Sequence, residues 1–132
     1  MGVILEESKL KFFSILIVED DFFQAVMLDK ILTSLHYTVI GKAKSGEEAI
    51  QLATELKPDL IFMDISLDGE MDGITAAMKI QEKRPSPLIY NTGNSDEYHR
   101  KRAEETDYLA YLVKPVTRAI IANTLRKLEK MS

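Results

Sequence analysis

At 132 residues the chain has the length of one domain, so a single core must carry its stability. Its 45% hydrophobic and 29% charged residues exclude a disordered body, and the lack of cysteine excludes a disulfide framework, a thiolate nucleophile and a Cys-based zinc or iron–sulfur site. With 17 basic against 21 acidic residues the net charge is −4, which disfavours non-specific binding to nucleic acid or anionic lipid.

Taken in chain order, residues 1–12 fit no regular unit and are read as a tail or linker remnant, with one domain over 13–132. The apolar run Ile15-Leu16-Ile17-Val18 is the first strand. A first helix follows, opened by Asp21 and Gln24 in a capping-box arrangement, with Phe23, Met27, Ile31 and Leu35 expected inward and Val26, Leu28 and Leu32 beside them. Tyr37 to Ala43 is the second strand. Ser45 and Glu48 form a Ser-x-x-Glu box that opens a second helix on Ala49, Ile50, Ala53 and Leu56, closed by Pro58. Leu60-Ile61-Phe62-Met63 is the third strand, and a third helix starts near Asp72 or Gly73, uses Ile74, Ala77, Met78 and Ile80, and stops before Pro85.

Leu88-Ile89-Tyr90 is the fourth strand. The fourth helix, around Asp96 to Thr106, offers only Tyr98 and Ala103 to a core and is expected to be marginally packed. Its basic cluster His99-Arg100-Lys101-Arg102 runs straight into Glu104 and Glu105, the pattern of a mixed-charge solvated helix and not of a nucleic-acid site. Ala110 to Val113 is the fifth strand, and Thr117 to Lys130 a last helix on Ile120, Ile121, Leu125 and Leu128, with Arg126, Lys127 and Lys130 near the negative end of its dipole. Short apolar strands alternating with helix-period segments point to a parallel sheet covered on both faces. No apolar run approaches the ~18–20 residues of a membrane span, and no signal peptide is recognisable.

In an open α/β sheet the working groups gather at the carboxyl ends of the strands. Here those ends carry Glu19-Asp20-Asp21, Asp64, Thr92-Gly93-Asn94 and Lys114-Pro115. Each alone reads as a turn or a helix cap, Asp21 among them. Together, acids, a hydroxyl and a lysine describe one pocket for a hard divalent cation and a phosphoryl group.

These residues carry a resemblance. From Ile15 to Lys130 the chain is similar to the receiver domain of two-component response regulators, and in particular to the single-domain chemotaxis type. The match lies in Ile-Leu-Ile-Val-Glu-Asp-Asp at 15–21, Ser-Gly-Glu-Glu-Ala at 45–49, Pro-Asp-Leu-Ile-Phe-Met-Asp at 58–64, Met-Asp-Gly-Ile at 71–74, Pro-Leu-Ile-Tyr-Asn-Thr-Gly at 87–93 and Tyr-Leu-Val-Lys-Pro at 111–115. The resemblance implies a flavodoxin-like, doubly wound five-stranded parallel sheet of order 2-1-3-4-5 with five helices.

It also implies that Asp64 accepts a phosphoryl group from a histidine kinase or phosphotransfer protein. Mg²⁺, or Mn²⁺ in its place, is then held by Glu19, Asp20, Asp64 and the Ser66 carbonyl, and Thr92 and Lys114 bind the incoming oxygens. Tyr111 matches the switch aromatic, and Lys114-Pro115 the family's cis peptide. The only chemistry implied is the chain's own phosphorylation and slow autodephosphorylation, in the cytoplasm. Output is expected through the face of the fourth helix, fifth strand and fifth helix, to a downstream protein or a second copy, as Thr92 and Lys114 move toward the new charge and Tyr111 moves inward.

Three departures from the family pattern stand out. The loop after Asp64, Ile-Ser-Leu-Asp-Gly-Glu-Met-Asp-Gly, is one residue longer than usual and lacks its proline; Gly93 replaces an alanine; and Asp107-Tyr108 replaces Gly-Ala. Other readings remain: a phosphorylation-independent protein-binding module, a haloacid-dehalogenase-type phosphatase, which expects a second Asp where Ser66 stands, and a flavodoxin-like carrier, whose phosphate loop would occupy the acidic 19–21 segment. The chain is expected to be a stand-alone receiver or a piece of a larger signalling protein.

Overall fold

The computed structural model describes Phe12 and residues 14–130; the segment 1–11 read as a tail lies outside the described residues. Five strands, β1 (Ser14–Val18), β2 (Thr38–Ala43), β3 (Leu60–Met63), β4 (Leu88–Thr92) and β5 (Ala110–Val113), alternate with five helices, α1 (Phe22–Ser34), α2 (Gly46–Leu56), α3 (Gly73–Lys83), α4 (Glu97–Ala103) and α5 (Arg118–Lys130). The strands form one parallel sheet in the order β2-β1-β3-β4-β5. That is the doubly wound topology expected. Because successive strand side chains point to opposite faces, the sheet divides the core in two. Leu16, Val18, Ile61, Met63, Leu88 and Tyr90 pack with α2 and α3 on one side, and Ile15, Ile17, Leu60, Phe62 and Ile89 with α1 and α5 on the other. Phe12, at the end of the segment read as a tail, is buried with the second group, and its N–H donates to Glu129 Oε2 at 3.3 Å.

The helix starts follow the local signals. Asp21, Ser45, Asp72 and Asp96 each accept a hydrogen bond from a backbone N–H three residues on, satisfying a first-turn donor of α1, α2, α3 and α4. The ends differ in places from the sequence reading. β4 runs two residues further, through Asn91 and Thr92, and α4 spans only Glu97–Ala103. Ile120 and Leu56, expected inward, are exposed, as is Tyr98, which leaves Ala103 as the buried residue of α4.

The largest correction is in α1. Phe23 and Met27 are 77% and 57% exposed, with Phe22 at 73%, while Ala25, Leu28 and Leu32 are buried and Ile31 and Leu35 pack at the margin. At 3.6 residues per turn an i, i+4 series advances about 40° per step, so the stripe from Phe23 to Leu35 winds from the outer side of the helix onto the sheet.

Candidate functional site

Glu19 and Asp64 are carried to the same edge by neighbouring central strands. Asp64 N–H donates to the Val18 carbonyl at 3.0 Å, and Glu19 N–H to the Ala43 carbonyl at 2.9 Å, so both residues prolong the ladder just beyond β3 and β1. Both side chains are buried, and Asp20 beside them is half-buried. One carboxylate oxygen from each of Glu19, Asp20 and Asp64 lies within 4.8 Å of the others. Close behind them Gly73 passes so near the Asp64 backbone that a Cβ there would stand 2.0 Å from the Asp64 carbonyl oxygen. Only glycine fits.

From the other side, Lys114 N–H donates to the Thr92 carbonyl at 2.8 Å. The Lys114–Pro115 peptide bond that follows is cis. Lys114 Nζ then reaches Glu19 Oε1 at 2.6 Å and Asp64 Oδ2 at 2.9 Å. Burial alone would pull the lysine's pKa down, but its hydrogen bonds to the two carboxylates outweigh that and raise it. Glu19 is pushed up to about 7, chiefly by burial and also by the Asp64 charge, against the lowering influence of Lys114. Three acids against one ammonium leave a surplus of negative charge.

The remaining oxygen of Asp64, Oδ1, accepts from Ser66 N–H at 3.3 Å. Ser66 Oγ in turn accepts from Asn94 Nδ2 at 2.7 Å, and Asn94 also donates to Thr92 Oγ1 from its backbone N–H at 3.2 Å and from Nδ2 at 3.4 Å. Tyr111 O–H donates to the Asn94 carbonyl at 2.5 Å. Asn94 thus ties together the loop after Asp64, the hydroxyl of Thr92 and the aromatic of β5. Sequence reasoning placed it at the strand end but gave it no role, since hydrogen bonds to residues 28 and 17 positions away have no local signature.

The Tyr111 ring is half-buried and packs 5.8 Å from that of Tyr90 and 6.2 Å from that of Tyr108, with the Arg100 guanidinium 4.4 Å above it. Arg102 of α4 reaches across to Asp72, the N-cap of α3, at 2.5 Å. The long loop after Asp64 is held as well. Asp68 forms a β-bridge to Ser45, Gly69 takes φ +94°, and the Met71 side chain lies against Gly46. Gly93 faces open space, with no atom within 4 Å of where a Cβ would stand.

The donor set fits a hard cation: oxygen ligands only, in excess negative charge, at spacings that a divalent ion closes and two unshielded carboxylates resist. Ser66 is brought to the same place through its N–H, and Thr92 and Tyr111 are linked to it through Asn94. Among the described residues no helix is long and apolar enough to cross a membrane.

The model of the response regulator receiver domain matches residues 15–126. The transcriptional regulatory protein PdtaR of Mycobacterium tuberculosis is 39% identical over 101 residues, 76% of this chain and 49% of that protein; the chain therefore spans about half the length of this curated relative. The chemotaxis protein CheY of Thermotoga maritima is 33% identical over 117 residues, 88% of this chain and 97% of that protein. Among solved structures, the receiver domain of the sensor histidine kinase PA1611 of Pseudomonas aeruginosa, with a magnesium ion in its active-site cleft, superposes with a TM-score of 0.77 at 28% identity, covering 89% of this chain and 98% of that one.

Proposed function

The chain belongs to the response regulator receiver domain family, whose role is to accept a phosphoryl group, and on that footing we propose that Asp64 is its acceptor. The observation that carries this reading is the Lys114 ammonium held between Asp64 Oδ2 and Glu19 Oε1, at the edge where Asp20 completes an acidic cluster. Receiver domains bind Mg²⁺ at such a pocket. Here Asp20, Asp64 and the Ser66 carbonyl would hold it, with Glu19 acting through water, and the ion would offset the charge of the phosphoryl oxygens. Asp64 supplies the attacking oxygen. Lys114, already paired with that carboxylate, follows the negative charge as it moves to the phosphoryl group, and Thr92 offers a hydroxyl donor on the other side. Little beyond positioning is asked of the protein, and it acts on no substrate other than its own aspartate.

The phosphoryl donor is a histidine kinase or phosphotransfer protein. Phe22 and Phe23 follow directly on the 19–21 acids and stand exposed, which supports α1 as the surface that such a donor covers. The output is a change in the surface of α4, β5 and α5, transmitted through the Thr92–Asn94–Tyr111 hydrogen bonds to a downstream protein or a second copy.

Acetyl phosphate with Mg²⁺ tests the acceptor. The bond from an Asp64 oxygen to phosphorus forms, the bond from phosphorus to the acetate oxygen breaks, and acetate leaves. Intact mass should rise by one phosphoryl group in the wild type and not in Asp64→Asn. Equal labelling of the two would remove Asp64 from the role, and no labelling of either would favour a phosphorylation-independent binding module.

A further inference from the structure

Lys114 and Pro115 also line a groove of about 480 Å³ between α1 and the turn that joins β5 to α5. Phe23, Met27 and Ile31 on one side and Val116 and Ile121 on the other make its walls apolar. Asn91 lies among them. Along β4, Ile89 packs on the α1 and α5 side of the sheet and Tyr90 on the other, so alternation turns Asn91 toward the groove. Asn91 is only 7% exposed, and its Oδ1 is the one buried side-chain polar atom among the described residues that has no hydrogen bond. A buried carbonyl left unpaired bears its full desolvation cost, whereas a single donor removes it. The terminal torsion of an asparagine is broad and roughly two-fold, so a turn that exchanges its amide oxygen and nitrogen brings the oxygen to the groove without backbone movement.

We propose that this groove binds a small neutral aromatic molecule carrying one N–H or O–H donor, of the indole or phenol class, with its ring between α1 and α5 and its donor on Asn91 Oδ1. The chemistry of the lining selects this class. No acid among the described residues lines the groove, so a cation finds no counter-charge; its one cation, Lys114, is committed to Glu19 and Asp64, so an anion finds none either. A neutral body meets apolar walls, and the unpaired Asn91 oxygen, once turned to the groove, asks for a donor. The volume falls within the ~300–1,000 Å³ of small-ligand sites. The site stands independently of phosphoryl acceptance.

Amide-resolved NMR titration of the full chain with indole, with N-methylindole and with indene, the last two lacking the donor, is the test. Saturable shifts are expected at Phe23, Met27, Asn91 and Val116, with indole bound about fivefold tighter than either analogue. Asn91→Leu should abolish that preference while retaining the ring contacts. Equal affinity for the three molecules, shifts confined to other regions, or no saturable binding overturns the proposal, and these wild-type comparisons stand even if the variant fails to fold. A preference for indole that survives Asn91→Leu also overturns it. So do shifts in the same residues on simple dilution, which would assign the groove to a second copy of the chain.

Discussion

β1 and β3, the strands that end at Glu19 and Asp64, are buried at every residue except Ser14, whereas β5, which ends beside Lys114, is only half-buried at each of its four positions. The contrast extends to the helices. α3 buries Gly73, Ile74, Ala76, Ala77 and Ile80; α4 buries Ala103 alone and is held by polar ties, Arg102 to Asp72 and Arg100 over Tyr111. One part of the pocket therefore rests on buried apolar area. The other rests on hydrogen bonds and an ion pair at a partly wet surface. Exchanging contacts of the second kind costs little, because few apolar groups are exposed in doing so. The asymmetry sets acids fixed by buried apolar area beside a surface held by polar contacts, the kind of pairing on which the proposed switch would rest.

The comparison is sharpest in core truncations. Phe62→Ala in β3 should cost about 3–5 kcal/mol of unfolding free energy and Leu112→Ala in β5 about 1–2 kcal/mol, measured by urea denaturation. Equal losses would mean that β5 is as firmly seated as β3. Next in size, Asp20→Ala should weaken Mg²⁺ binding about tenfold or more in a calorimetric titration while leaving the melting temperature unchanged or higher, since it removes a ligand and also a repelling charge. Unchanged Mg²⁺ affinity would place the cation elsewhere.

The side held by polar contacts is probed by hydrogen exchange. With beryllofluoride and Mg²⁺ as a phosphoryl mimic, protection should change through residues 92–113 and stay constant in β1 and β3. Changes confined to the loops around Glu19 and Asp64 would uncouple the pocket from the surface. Tyr111→Phe loses the bond to the Asn94 carbonyl and should cost about 1 kcal/mol, with faster exchange in the same 92–113 segment.

The smallest effect concerns pH. Burial alone would raise the pKa of Asp72, but Arg102 and the N–H of Thr75 together hold it below its ordinary 3.8. A carboxyl depressed in the folded state contributes stability above its unfolded pKa and loses it as pH falls through the folded one. Wild type should thus lose a few tenths of a kcal/mol more than Arg102→Gln on acidification below about pH 4, the pair being partly solvated. Parallel acid curves would show that the ion pair does not hold α4.

The sequence by itself determined the strands, their order of appearance and the residues at their carboxyl ends. An apolar run bounded by turn residues is a local pattern, and a strand end delivers its next side chain to the edge of the sheet whatever lies beyond. The same locality made the caps at Asp21 and Ser45 readable and brought the starts of the third and fourth helices close to their caps at Asp72 and Asp96, since each cap spans three residues. Only the tertiary structure decided which side of α1 is buried. That helix carries apolar residues nearly all round, so its period alone could not choose between Phe23 with Met27 and Ala25 with Leu28, and the choice fell to the sheet and α5 packed against it. The tertiary structure also made Asn94 a hub and left the Asn91 amide at the floor of an apolar groove. Those positions depend on loops and helices that meet from distant parts of the chain, and no local spacing encodes where two such surfaces close on one side chain.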